Sequence, residues 1–290
     1  MQTKYKYSLK NKIVRNPLAI IKSLSIFLNK EKSLFNEHKY VDSLEKIIDV
    51  LKNNQCKSIE LNYLQKEDIE QIINVCKDYV EYIEFFYCSC DLSILKDCHN
   101  LKNVKCSGLE NFTSLWDMTS NKNLSTLIIR DCNELNDISN IKESSIENLE
   151  ILKGYKTIPE TLDINIDDFS IFLKCPKLKN LSLFINENEN KEKDLLDLSL
   201  LTNLEKLHLP KSYFSFNQFA WLKSKLSNTK NLDSIYHIAK DPANEKIYAV
   251  IIGKDKPDFI YDDGSDFISF VDEYKSLVDK YKNQDLPPKN

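Results

Sequence analysis

Leu124-Ser-Thr-Leu127-Ile-Ile129-Arg-Asp-Cys132 carries apolar residues at the first, fourth and sixth places of a short stretch. The same frame, with Leu, Ile, Val, Phe or Cys at the apolar places, recurs on either side of it. Its other instances are Cys56/Ile59/Leu61, Val80/Ile83/Phe85, Leu101/Val104/Cys106, Ile146/Leu149/Ile151, Leu178/Leu181/Leu183 and Leu204/Leu207/Leu209. Measured at the middle residue, the steps 59→83, 83→104, 104→127, 127→149, 149→181 and 181→207 are 24, 21, 23, 22, 32 and 26 residues. Successive side chains of a strand point to opposite faces. The frame's apolar residues therefore enter a core, while those between them stand on an open parallel sheet. One such unit cannot bury its apolar face alone, so the pattern implies stacked copies with a cap at each end.

Composition narrows what such an array can do. The 290 residues are 42% hydrophobic and 29% charged, as in a folded soluble chain. A net charge of -4, with acidic and basic residues interspersed, offers no broad basic face for nucleic acid. Only four glycines occur, Gly108, Gly154, Gly253 and Gly264, and no phosphate-cradling loop can be assembled from them. The eight cysteines lack paired C-x-x-C spacing. Cys56, Cys106 and Cys132 fall on repeat positions that want a small buried side chain, so core thiols are expected rather than a metal centre. Unpaired thiols without a secretion signal point to a reducing, cytoplasmic setting.

The ends depart from the frame. Residues 1–55 read as a helical N-terminal cap. Its apolar run Pro17–Leu28 is interrupted by Lys22, lacks a signal-peptide cleavage site, is too short to span a bilayer, and is expected as a buried helix from Pro17. Val41–Leu51 and Glu67–Cys76 show helical spacing. Later returns, Asp91–Leu95 and Asn136–Ile141, are short and polar and suit 3₁₀ turns. Residues 56–239 hold seven or eight repeats, with Leu232–Ile235 as a degenerate eighth strand. The run Asn186–Asp194 reads as a solvated loop. Residues 240–290 read as a C-terminal cap, a strand over Lys246–Ile252 and then a helix carrying Phe267, Phe270, Val271, Tyr274, Leu277, Val278 and Tyr281 on one face. Pro287 and Pro288 are expected in a frayed tail.

The chain resembles leucine-rich repeat proteins of the short-repeat, internalin-like class. Cys88, Cys132 and Asn186 stand where the family motif has its Asn or Cys, whereas Leu64, Leu109, Gly154 and Ser212 depart from it. Asp91-Leu-Ser, Asp137-Ile-Ser and Leu195-Leu-Asp-Leu-Ser echo the motif's continuation. The resemblance covers roughly residues 56–235. It implies an α/β solenoid, a horseshoe with a parallel concave sheet, a helical N-terminal cap and a strand-helix C-terminal cap. It is nearly silent on function, because members share a scaffold and not a ligand.

Register assigns the concave face. Glu60, Glu84, Lys105, Ile128, Glu150, Ser182 and His208 take its central row. Ser58, Tyr82, Asn103, Thr126, Asn148, Asn180 and Lys206 take the row before it. Tyr63, Phe86, Tyr87, Arg130, Asp131, Phe184, Ile185 and Lys211 stand just beyond the frame. Tyr63, Tyr82, Phe86 and Tyr87 are expected to gather aromatic surface, the type enriched in interface hot spots, at one end of the sheet beside Glu60 and Glu84. Lys105, Arg130, Asp131, Glu150 and Lys153 form a mixed-charge cluster suited to electrostatic complementarity. The partner-binding set is thus Glu60, Tyr63, Tyr82, Glu84, Phe86, Tyr87, Lys105, Ile128, Arg130, Asp131, Glu150 and His208. No catalytic constellation is expected: Asp167-Asp168 and Asp262-Asp263 are sequence neighbours that face opposite ways on a strand.

A non-catalytic module is expected, favoured as a monomer, without cofactor, metal, nucleic acid or membrane, holding a protein partner on its concave face. A Lys-, Asn- and Ile-rich composition suits an AT-rich microbial genome, and a stand-alone array suits an inhibitor or immunity-type protein. The alternative is a secreted, host-directed effector or adhesin.

Overall fold

A computed structural model describes residues 5–14, 19–28, 39–41, 43–152, 166, 168–184, 191–240, 247–256, 260–262 and 265–289. The chain divides into two compact units, Met1–Ile166 with Cys175–Lys177, and Asp167–Lys174 with Leu178–Asn290.

The first unit is an open α/β sheet of solenoid type. In chain order it holds β1 (Tyr5–Val14), β2 (Ala19–Leu28), β3 (Lys39–Val41), α1 (Leu44–Asn54), β4 (Ser58–Asn62), α2 (Lys66–Cys76), β5 (Tyr82–Phe86), β6 (Asn103–Ser107), β7 (Thr126–Arg130) and β8 (Asn148–Leu152). β2 and β4 to β8 run parallel, each paired with the next, while β1 pairs antiparallel with β2 and β3. The register matches the frame residue for residue: Ile59, Ile83, Val104, Leu127 and Leu149 are direct neighbours across five strands. Across both units all twenty-one frame residues are at most 3% exposed. Each large aliphatic among them contributes about 1.5–3 kcal/mol by burial, which makes this stripe the core of the array.

The N-terminal expectation requires correction. Ala19–Leu28 is strand β2, not a helix. Ile21, Leu24 and Ile26 repeat the frame once more, and Leu24 and Ile26 pair with Ile59 and Leu61. Both are fully buried. Alternation with Ser23 and Ser25 gives the period of two that a strand needs, and ten pairs to β1 stabilise it. The cap is thus a hairpin plus α1, which covers its expected helical stretch. α2 also forms as expected, and the later returns shrink to 3₁₀ turns at Ser93–Asp97 and Ser139–Ile141.

Those returns share a device. Asp91, Asp117 and Asp137 each accept the backbone N–H of the residue two places on, Ser93, Thr119 and Ser139. Such a turn closes the chain in three residues, which lets a repeat of 20-odd residues dispense with a helix. Between two of them Asn121, fully buried, donates to Leu95 O and Cys98 O and accepts from Trp116 Nε1. It satisfies carbonyls that a 3₁₀ turn leaves open.

The second unit holds β9 (Asn180–Phe184), α3 (Lys191–Ser199), β10 (Lys206–His208), α4 (Phe216–Lys225), β11 (Ile235–Lys240), β12 (Ile247–Ile251), β13 (Ile260–Asp262) and α5 (Ser265–Tyr281). β9 and β10 are parallel. Lys191–Asp194, expected in a solvated loop, opens α3, and Asp194 is buried against the Tyr213 hydroxyl at 3.2 Å. The expected eighth repeat strand does not form. Lys230 N still donates to Glu205 O, but the side chain of Asn231 then takes the strand's place, with Leu207 N–H donating to its Oδ1 at 3.0 Å and its Nδ2 donating to Leu207 O at 3.1 Å. β11 instead starts an antiparallel sheet with β12 and β13. The strand and final helix expected for the C-terminal cap are β12 and α5. The tail beyond α5 is not frayed: Trp221 Nε1 donates to Gln284 O at 2.9 Å, Gln218 Nε2 donates to Pro288 O at 3.4 Å, and Pro287 is buried.

Candidate protein-binding face

The open face of the first unit is a grid set by strand register. One row runs Ser58, Tyr82, Asn103, Thr126, Asn148, the next Glu60, Glu84, Lys105, Ile128, Glu150, and the third Asn62, Phe86, Ser107, Arg130, Leu152. Eleven of the twelve residues expected to bind a partner thus stand on these strands or at their C-terminal ends. His208 belongs to the second unit, on β10 opposite Ser182. Lys153, Gly154 and Asn186, together with the stretches 153–165 and 185–190, lie outside the described residues.

Charges on the grid pair across strands. Lys105 Nζ donates to Glu84 Oε1, and Arg130 Nη2 to Glu150 Oε2 at 3.3 Å. Ile128 stands between the two pairs in the central row. Partly exposed pairs of this kind add little stability. They do fix the direction in which each side chain lies.

Aromatic surface gathers at the C-terminal rim. The Tyr63 and Tyr87 rings stack at 5.7 Å and 7°, and Phe86 stands edge-on to both, at 5.9 Å from Tyr63 and 4.6 Å from Tyr87. The three are 44%, 37% and 44% exposed for Tyr63, Phe86 and Tyr87. Tyr82 does not join them: it begins β5, whereas Phe86 ends it, about 13 Å away along the strand. The grouping of four expected from sequence is thus a group of three, because residues on one face of one strand can stand at opposite rims.

Backbone strain positions the rings. Tyr63, Tyr87 and Asp131 have φ of 59°, 49° and 54°, and Gly108 at 63° continues their row. The left-handed backbone costs a bulky residue roughly 1–2 kcal/mol. It is held by a ladder in which Tyr63 N donates to Phe86 O, Tyr87 N to Ser107 O, Gly108 N to Arg130 O and Asp131 N to Leu152 O, at 2.8 to 3.1 Å. Gly108 has a second reason to lack a side chain, because a Cβ there would stand 2.5 Å from Tyr87 Cε1. Sequence reasoning misses this row. Its one signal is that Gly108 and Asp131, two residue types that tolerate the left-handed region, stand at equivalent places in adjacent repeats.

The next position turns inward. Leu64, Cys88, Leu109 and Cys132 are all buried, so the departures from Asn or Cys at this place are met by plain apolar filling. Where cysteine occurs its thiol donates to a carbonyl, Cys88 to Leu61 O and Cys132 to Arg130 O, both at 3.3 Å. Burial pushes these two thiols up to about 11, and Cys106 well above its usual value. All eight cysteines are buried and none is bonded to another. They fill the core as small apolar groups.

The opposite rim is closed on itself. Glu81 accepts from both Lys57 and Lys102 at 2.7 Å. Burial disfavours its charge, yet the hydrogen bonds from Lys102 and Lys57 outweigh that and hold its carboxyl below the ordinary value.

The chain matches no protein-family model and no curated protein. Among the described residues no cluster has the make-up of a metal site, and no helix is long and apolar enough to cross a membrane.

Proposed function

We propose that the chain is a leucine-rich repeat protein that binds one protein partner on the concave face of a horseshoe, acting as an inhibitor or immunity-type protein that works by occlusion and not by catalysis. The observation that carries this reading is the exposed trio Tyr63, Phe86 and Tyr87, held by a strained and fully bonded backbone at the edge of an open sheet. Strain retained beside solvent-facing rings is a mark of functional surface. Rigid aromatics lose little entropy when covered, which makes them efficient anchors. The neighbouring pairs Glu84–Lys105 and Arg130–Glu150 offer fixed charges for orientation rather than affinity.

The test is capture of the partner from the source cell followed by calorimetric titration. Replacing Phe86 and Tyr87 together by alanine is expected to weaken the complex at least 100-fold, while Lys52→Ala, at an exposed position of α1, leaves it unchanged. Full affinity in the double variant overturns the face as the binding site. Inhibition is read by whether the captured protein's activity returns when that variant replaces the native chain.

A further inference from the structure

We infer that the aromatic trio receives arginine side chains, so that the partner presents a basic segment to the C-terminal rim of the sheet. This rests on the proposed protein-binding role and narrows it to one partner chemistry.

Two features meet on that rim. The first is the trio itself, whose exposed ring surface attracts a planar guanidinium through the ring quadrupole. The hydroxyls of Tyr63 and Tyr87 carry no hydrogen bond among the described residues, so they are available to a partner's donors. The second is charge. Asp131 continues the row Tyr63, Tyr87, Gly108, and the strand spacing puts it about 10 Å from Tyr87. Glu110 lies two residues beyond Gly108, bridged to Ser89, and Glu134 accepts the N–H of Asn111 beside it. Glu110 and Glu134 are exposed, and none of the three carboxylates has an ion pair among the described residues. The two cations of the grid, Lys105 and Arg130, are engaged by Glu84 and Glu150. A ligand at this rim therefore meets aromatic faces and, about 10 Å away, an acidic edge. A polyproline-II segment turns once every three residues, so arginines spaced three apart lie on one side of it, about 9 Å apart, and match both, whereas an acidic segment would be repelled.

The experiment uses the full chain and fluorescein-labelled peptides of nine residues in a glycine-serine background, with arginine, lysine or glutamate at every third place, followed by fluorescence anisotropy. The arginine peptide is expected to bind saturably, several-fold tighter than the lysine peptide, and to weaken at least ten-fold on raising salt from 50 to 300 mM. Two variants separate the parts. Tyr63→Ala with Phe86→Ala should cost at least ten-fold. Glu110→Gln with Asp131→Asn, which alters no ring, should cost about five-fold and flatten the salt dependence. Native-level binding of the arginine peptide by both variants, or equally tight binding of the glutamate peptide by the native chain, overturns the inference. So does a captured partner that depends on Phe86 yet carries no basic segment at the contact, an outcome that leaves the proposed binding face standing.

Discussion

The two rims of the first unit's sheet are built from the same repeats and behave in opposite ways. At the N-terminal ends of β5 and β6, Glu81 is gripped by Lys57 and Lys102, and its backbone oxygen also accepts the N–H groups of Lys102 and Asn103. The charges of Glu81, Lys57 and Lys102 are met from within. At the C-terminal ends the backbone is equally well bonded, but the side chains it carries are rings in solvent and carboxylates without an ion pair among the described residues. One rim spends its polar groups on holding repeats together, the other leaves its groups for something outside. Register fidelity is therefore shared by both rims, and the proposed recognition is confined to one.

The largest effect is expected from Gly108→Val. A β-branched side chain at φ of 63° and 2.5 Å from the Tyr87 ring should cost about 2–4 kcal/mol in urea unfolding and expel Tyr87 from its stack with Tyr63. A loss below about 1 kcal/mol would mean the aromatic rim is not mechanically coupled to the ladder. Next comes Phe86→Ala, expected to weaken the partner by about 2 kcal/mol while unfolding changes by less than about 1 kcal/mol, since the ring is already 37% exposed. The reverse pattern would make the trio a packing device and erase the contrast between rims.

Glu81→Gln probes the closed rim and should lower stability by about 1 kcal/mol or less without touching affinity. The smallest effect is acid sensitivity at the return turns. Lys66 beside Asp91, and Lys193 beside Asp168, pull these carboxyls down to about 2, against about 3.9 in an unfolded chain. Their folded values are depressed, so their contribution is complete above the unfolded value and fades as pH falls from about 4 to about 2. Melting temperature should decline across that window, and the decline should be shallower in Asp91→Asn. No change in slope would show that the Asp91–Lys66 pair does nothing for stability.

Most of the sheet is legible in the sequence because its signal is local and repeated. Leu127 fixes where the equivalent residue must lie in every neighbour, so the pairing of Val104 with Leu127, and of Leu127 with Leu149, follows from spacing alone. The frame at Ile21, Leu24 and Ile26 obeys the same rule but reads as a helix, because Pro17 and a dense apolar run outweigh a period of two over six residues. Tyr82 is misplaced for a different reason: face can be read from parity, but rim needs distance along the strand. The left-handed row is hidden because two of its members are tyrosines, which carry no propensity signal for that backbone. Asn231 is unreadable as a terminator, since an asparagine that replaces a strand looks like any polar residue.

That asparagine has a consequence for how such a chain can change length. A parallel ladder has no internal reason to stop, and each added unit offers the next an identical template. Asn231 supplies, from one side chain, the donor and acceptor that the next strand would bring to Leu207. Because the stop signal is separate from the units it follows, a unit can be duplicated or deleted upstream without rewriting the end. The array is extensible in the way a sentence is, with its punctuation kept apart from its clauses.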